Sequence, residues 1–403
     1  MTTPARRVPG GWIGRSVLAV VGLGMAALAL EIGLRVLYPD VPIIRRDERL
    51  GSLARPNLDV RKTFGGHERV VRVTTNASGL RGAELPTGRT PGVRRVLALG
   101  DSFTFGDAVE AEEAWPAQLE RLLNGGASPG RWHVVNAGIP GHGTGQQLLL
   151  SRLLEERVRP DVVVLGFTVV NDVLDNLCVE EASYTPKRGV PCFVLDGERL
   201  QLVAPPRIEP EPARPARSRA LDFLAGEARR LTLGHPGLLA LAGWSGAADL
   251  PYVPATIASW YDARYAEPGW RLTQRLLIEL REQLRTERVP LVILVIPAAL
   301  QVEAGLQSAL RALGARHAAV GDFLADPARP QRLVGDFCRS AALDCLDARP
   351  ALLELAERGT RTYYSIDNHW TPAAHDRAAD LVARHLAARG LADVRGRERA
   401  AAR

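Results

Sequence analysis

The chain has 403 residues, 46% hydrophobic and 24% charged, a globular composition that excludes both a disordered chain and a polytopic membrane protein. Its length admits one large domain or two ordinary ones, and 28 prolines with 38 glycines predict many loops. The net charge of +6 sits at the ends, in Arg6, Arg7 and Arg15 and in the stretch Arg395 to Arg403. The body between is neutral and carries no basic stripe with interleaved aromatics, which sets nucleic acid aside as a partner.

At the amino end, Ser16 to Leu30 (SVLAVVGLGMAALAL) is apolar throughout, and Ile32 to Leu34 extends it past Glu31. We read residues 1–37 as a tail and an uncleaved membrane anchor. The alternative is a cleaved signal peptide with Ala27-Leu28-Ala29 as its small-x-small site. Arg6, Arg7 and Arg15 on one side face Arg35, Arg45, Arg46 and Arg49 on the other, so arginine counting assigns no orientation. Residues 38–92 are rich in Pro, Gly and Arg, with β-prone pieces such as Val70 to Thr75, and read as a lead-in that packs on the main domain. Asn76-Ala77-Ser78 is a glycosylation sequon, a pattern that also arises by chance.

The main domain spans 93–390. Strands are expected at Val96 to Gly100, His133 to Ala137, Val162 to Phe167, Leu291 to Ile296 and Leu343 to Leu346. Helices are expected through Trp115 to Leu123, Gln146 to Glu156 and Leu272 to Leu284, with a closing helix from Ala373 to Ala388 after a Thr371 cap and Pro372. The strands are short, Val/Leu-rich and without polar alternation, as strands covered on both faces should be. Alternating strand and helix imply a doubly wound, flavodoxin-like α/β fold with a parallel sheet of about five strands. Residues 178–262 break the rhythm as an insertion. It includes the proline-rich Ala204 to Arg217, which cannot be central strand or helix interior, and a helical piece near Leu221 to Leu231. Residues 391–403 form a basic tail.

Cys178 and Cys192 are 14 apart and Cys338 and Cys345 are 7 apart, spacings that suit two local disulfides, although four cysteines allow three pairings. Such bonds persist in an oxidising compartment, and the first would staple the base of the insertion. Four buried free thiols are the alternative. No CxxC or Cys/His cluster suggests a metal, and the phosphate- and dinucleotide-binding glycine motifs are missing, so no cofactor is called for.

Four blocks carry chemistry. Ser102 lies just past the first strand in GDSFTFG (100–106), where it is either a helix cap or a nucleophile. NAGIPGHGT (136–144) follows the second strand, Asn171-Asp172 follows the third, and DNHWTPAAH (367–375) precedes the last helix. In a doubly wound sheet, loops after successive strands converge on one edge, so all four can meet. There is no GxSxG elbow of the usual α/β-hydrolase kind.

From about Arg94 to Leu386, the insertion excepted, the sequence resembles the GDSL/SGNH hydrolase superfamily. The resemblance implies Ser102 as nucleophile, His369 as general base and Asp367 as its orienting acid. It also implies an oxyanion hole made by the Ser102 backbone N–H, the Gly141 backbone N–H and the Asn171 side-chain amide. Histidine's ordinary pKa near 6.5 suits a base that takes a serine proton. Two departures stand out. Val169 and Val170 precede Asn171 where the family usually reads Gly-x-Asn-Asp, and acid and histidine are two residues apart rather than the commoner three. The DxHW form is similar to membrane-anchored members such as the alginate O-acetyltransferases. Asp101 and Asp172 read as braces of their loops, His142 as a loop histidine, His375 as a helix-face residue, and Trp115 as core, sharing a helix face with Leu119.

The expectation is an extracytoplasmic, membrane-anchored serine esterase acting on O-acyl esters, of a small molecule or a glycan. The first alternative is an O-acyltransferase that passes the acyl group to a sugar hydroxyl, and the second a noncatalytic glycan-binding protein.

Overall fold

The computed structural model describes residues 11–38, 41–64, 68–85, 87–125, 131–178, 190–203, 218–233, 253–313 and 318–392. The proline-rich stretch 204–217 and the basic tail from 393 lie outside them. The apolar amino-terminal segment is one helix, α1 (Gly11–Leu37). From Gly14 to Leu37 it is long and apolar enough to cross a membrane, and it is almost wholly exposed.

Two hairpins follow in the lead-in: β1 (Ile44–Asp47) with β2 (Gly51–Ala54), and β3 (Asp59–Phe64) with β4 (Arg69–Thr74). Their apolar side chains Ile43, Ala54, Phe64, Val71 and Val73 form one cluster with Phe105, Ala108 and Val109 of the loop after the first sheet strand. Asn76 of the sequon is buried, with its amide donating to the Ala83 carbonyl at 2.8 Å, so the folded chain offers no acceptor nitrogen there.

In chain order the remaining elements are β5 (Arg94–Gly100), α2 (Ser102–Phe105), α3 (Trp115–Asn124), β6 (Trp132–Gly138), α4 (Thr144–Val158), β7 (Val162–Thr168) and α5 (Asp172–Asp175). The segment read as an insertion contributes the hairpin β8 (Cys192–Asp196) and β9 (Arg199–Val203), then α6 (Arg219–Leu233) and α7 (Val253–Trp260). After it come α8 (Ala263–Thr286), β10 (Leu291–Ile296), α9 (Ala304–Leu313), α10 (Ala318–Ala325), α11 (Arg329–Ser340), β11 (Asp344–Asp347), α12 (Arg349–Glu357) and α13 (Pro372–Ala388).

The sheet has five parallel strands in the order β11-β10-β7-β5-β6. Every residue of β7 and β10 is buried, which is why these strands read as unbroken apolar runs. Right-handed crossovers put α3, which leads to β6, on one face and α4, which turns back to β7, on the other. The packing agrees: α3 lies against α13, and α4 lies against α8. The chain therefore reverses direction at β5, the position in such sheets where loops part and leave a crevice.

α8 starts nine residues earlier than the apolar periodicity suggests and runs through Pro268. Asp262 caps it, accepting from the Arg264 N–H. At Gly269 a Cβ would stand 2.8 Å from the Val173 carbonyl oxygen, so the glycine lets α8 close on α5. At the end of the chain Thr371 does occupy the cap position of α13 with Pro372 first in the helix, but its hydroxyl donates to the Arg361 carbonyl instead of capping. The two disulfides join Cys178 to Cys192 and Cys338 to Cys345. The first links the end of α5 to the start of β8, and the second links α11 to the edge strand β11.

Candidate active site

Close backbone approach creates the turn after β5. A Cβ at Gly100 would stand 2.1 Å from Thr104 Oγ1, and one at Gly138 would stand 2.2 Å from the Phe105 nitrogen. Only glycine lets β5, α2 and β6 meet there. The helix cap is Asp101, whose carboxylate accepts the Phe103 N–H at 2.9 Å. Ser102 is thus the first residue of α2 and its hydroxyl is not used in capping.

That hydroxyl lies 2.7 Å from His369 Nε2, across 267 positions of sequence. The other ring nitrogen, Nδ1, hydrogen-bonds the Asp367 carboxylate. Asp367 and His369 sit on a tight loop closed by the Tyr363–Trp370 bridge, with the Tyr364 N–H donating to the His369 carbonyl at 2.9 Å. Asn368 between them has φ of 57°, the left-handed region that asparagine tolerates better than most residues. The two-residue spacing thus still brings the carboxylate onto the ring. Phe103 supports the arrangement from below, its ring centroid 4.9 Å from the imidazole and 5.4 Å from the Trp370 ring.

Gly141 and Asn171 stand on the loops after β6 and β7 at the same sheet edge. Gly141 has φ of 80°, so the residue there must be glycine for the loop to turn. The Asn171 amide donates to the Asp175 carboxylate at 2.5 Å. An amide carries two N–H donors, and this contact takes one. The valines before Asn171 are fully packed, and α7 holds their backbone: Trp260 Nε1 donates to the Val169 carbonyl at 2.6 Å and Ser259 to that of Val170 at 3.2 Å. A helix across the loop thus fixes the backbone that leads into Asn171.

A profile of the GDSL-like lipase/acylhydrolase family matches residues 98–392. The chain belongs to this family. It is an SGNH-type esterase. No curated protein matches it. Among solved structures it is similar to the acetyl xylan esterase AlAXEase, at 12% identity over 72% of this chain and 99% of that one, with a TM-score of 0.36. It is also similar to LAE5, an α/β hydrolase enzyme from the metagenome of Lake Arreo, Spain, at 12% identity over 74% and 96% with a TM-score of 0.38. A third is the lipase/acylhydrolase from Enterococcus faecalis, at 13% identity over 74% and 97% with a TM-score of 0.34.

Within this GDSL-family site the electrostatics centre on the imidazole. Burial alone would lower its pKa, but the Asp367 carboxylate and its hydrogen bond, with smaller contributions from Asp107 and Asp101, raise it to about 9. Burial raises the Asp101 carboxyl to about 7, against the Phe103 hydrogen bond and the pull of His369. Asp107 is also raised by burial. His375 is a different kind of histidine. It is wholly buried, its Nδ1 accepts the Trp115 N–H at 3.1 Å, and burial lowers its pKa to about 3, so it stays neutral and holds the start of α3. His142 reaches the Ser52 carbonyl at 2.9 Å, and Asp172 braces its loop by accepting the Thr168 N–H at 2.6 Å. Trp115 is core, fully buried.

Two lead-in residues that no motif marks hold both halves of the site. Arg81, buried, donates to the carbonyls of Phe105, Gly106 and Val109. Glu68 accepts the backbone N–H groups of Ser365 at 3.0 Å, Ile366 at 2.8 Å and Asp367 at 3.4 Å, and pairs with Arg361. Asp175 was the more legible omission, since it lies one helical turn after Asn171. Among the described residues no cluster of His, Cys, Asp and Glu could hold a metal ion.

Proposed function

We propose that the protein is a serine esterase that removes O-acyl groups, such as acetyl, from a glycan through an acyl-serine intermediate, with 93–390 as its catalytic domain. The observation that carries this reading is the unbroken hydrogen-bonded row from Ser102 Oγ through His369 to Asp367. Ser102 attacks the acyl carbonyl as His369 Nε2 takes its proton, and Asp367 stabilises the imidazolium on the far nitrogen. Negative charge developing on the carbonyl oxygen is held by the N–H groups of Ser102 and Gly141 and by the Asn171 amide. Collapse expels the sugar hydroxyl, which recovers the proton from His369. Water then repeats the sequence on the acyl-serine and releases the acid.

The choice of a glycan as substrate is supported by the similarity of the DNHW stretch (367–370) to the last block of polysaccharide O-acetyl enzymes. The extracytoplasmic side is supported by two disulfides in a chain that begins with a membrane-length helix.

The test is hydrolysis of a small acyl ester and of an acetylated oligosaccharide by wild type and by Ser102→Ala. Loss of kcat by about five to six orders of magnitude is expected. Equal rates would end the proposal, and transfer of the acyl group to an added sugar hydroxyl in place of free acid would replace hydrolysis with transfer.

A further inference from the structure

The anchor helix carries one carboxylate, and apart from Arg35 on the same helix its partners lie in the segment read as an insertion. Glu31 pairs with Arg35 at 2.7 Å and accepts from the Ser218 hydroxyl at 2.9 Å, the Arg219 N–H at 3.0 Å and the Ala220 N–H at 2.9 Å. It therefore caps α6 from 187 positions away. Within the membrane-length stretch Gly14–Leu37, Glu31 stands about 8 Å from the midpoint at 1.5 Å per residue. That is inside a hydrocarbon half-thickness of about 15 Å, where a carboxylate without partners is costly. Whatever satisfies Glu31 must reach the same depth.

α6 has the surface for that position. Leu221, Leu224 and Leu231 are exposed by 68%, 56% and 65%. At 100° per residue they fall within about 80° of arc, one continuous stripe. Leu221 and Leu224 line an open groove with Ala27 and Leu30 of α1, and the polar groups in its lining, Glu31, Arg35 and Ser218, are bonded to one another there. A bilayer that covers Ala27 and Leu30 therefore also reaches Leu221 and Leu224, where this stripe begins.

We propose that α6 is a second lipid-facing helix, seated in the bilayer beside α1 and held there by Glu31. The proposal rests on α1 spanning the membrane. It makes the insertion a membrane contact and sets the catalytic domain on the bilayer by two elements far apart in sequence.

The test uses the full chain in phosphatidylcholine/phosphatidylglycerol vesicles, with a nitroxide at Leu28→Cys, Leu224→Cys or Glu357→Cys. Each labelled protein is checked for ester hydrolysis, and relaxation by oxygen is compared with relaxation by a water-soluble nickel chelate. Oxygen-dominated relaxation is expected at 28 and 224, and nickel-dominated relaxation at 357. Nickel dominance at 224 with oxygen dominance at 28 overturns the proposal and leaves the anchor standing. Nickel dominance at all three removes the anchor and the proposal together. Protection at 224 from both reagents means protein, such as a second copy, covers the stripe, and overturns it as well. In Glu31→Ala the label at 224 is expected to lose its oxygen dominance while that at 28 keeps it. Unchanged relaxation at 224 overturns the assignment of Glu31 as the tether.

Discussion

Asp101 and Asp107 are buried on the loop that carries the nucleophile, and both raise the pKa of His369. Only neutral imidazole accepts the serine proton, so kcat/KM should climb with pH through about 9 and not level off near histidine's ordinary value. A pH profile flat from 6 to 10 would contradict this. Asp101→Asn keeps the cap oxygen and removes a charge, and should move the ascending limb toward neutrality. The same variant should change stability with a definite sign. A carboxyl raised from 3.8 to about 7 binds its proton more tightly when folded, so its stability contribution is full below 3.8 and is lost as pH rises through about 7. The Tm advantage of Asp101→Asn over wild type should therefore widen between pH 5 and 8. Asn171 presents a separate question, because Asp175 orients the amide that we assign to the oxyanion. Asn171→Ala should cut kcat by about 10²–10³. Asp175→Ala should cut it less, with KM nearly unchanged, if steady-state kinetics report only a misaimed donor.

The lead-in hairpins clamp the catalytic loops. Arg81 holds the segment after Ser102, and Glu68 holds the one before Asp367, so two loops from opposite ends of the main domain are tied to a single short piece of chain. The Glu68 carboxylate is nearly buried, at 5% exposure, and its loss would leave several backbone N–H groups short of an acceptor. Hydrogen bonds to a charged group are worth about 1.5–3 kcal/mol each, and partial rehydration reduces the total. Glu68→Ala should therefore lower the unfolding free energy in urea by about 2–3 kcal/mol, with kcat falling as the His369 loop loosens. A change within about 0.5 kcal/mol would show that the clamp is incidental.

The molecule as a whole joins a parallel α/β sheet to one exposed apolar helix. Full-length chain should sediment with membranes and resist high-salt extraction, whereas chain lacking residues 1–37, and with them the Glu31 tether of α6, should be released. Full-length chain found free in solution after cell fractionation would remove the anchor. The strands were legible because burial on both faces demands unbroken apolar runs, and β10 falls on the residues that its Leu291 to Ile296 run marks. The four chemical blocks were legible because glycines that admit close backbone contact, a serine after a strand and an acid two before a histidine are local patterns. Nothing local marks Glu68, Arg81 or Glu31 as partners of loops and helices between 24 and 299 positions away, nor assigns the cap of α2 to Asp101 rather than Ser102. Those choices depend on which donor meets which acceptor once the sheet has closed, and a hydrogen bond across such distances leaves no periodicity in the chain that makes it. The imidazole's raised pKa has the same origin, since it is set by three carboxylates gathered around one ring in a buried space.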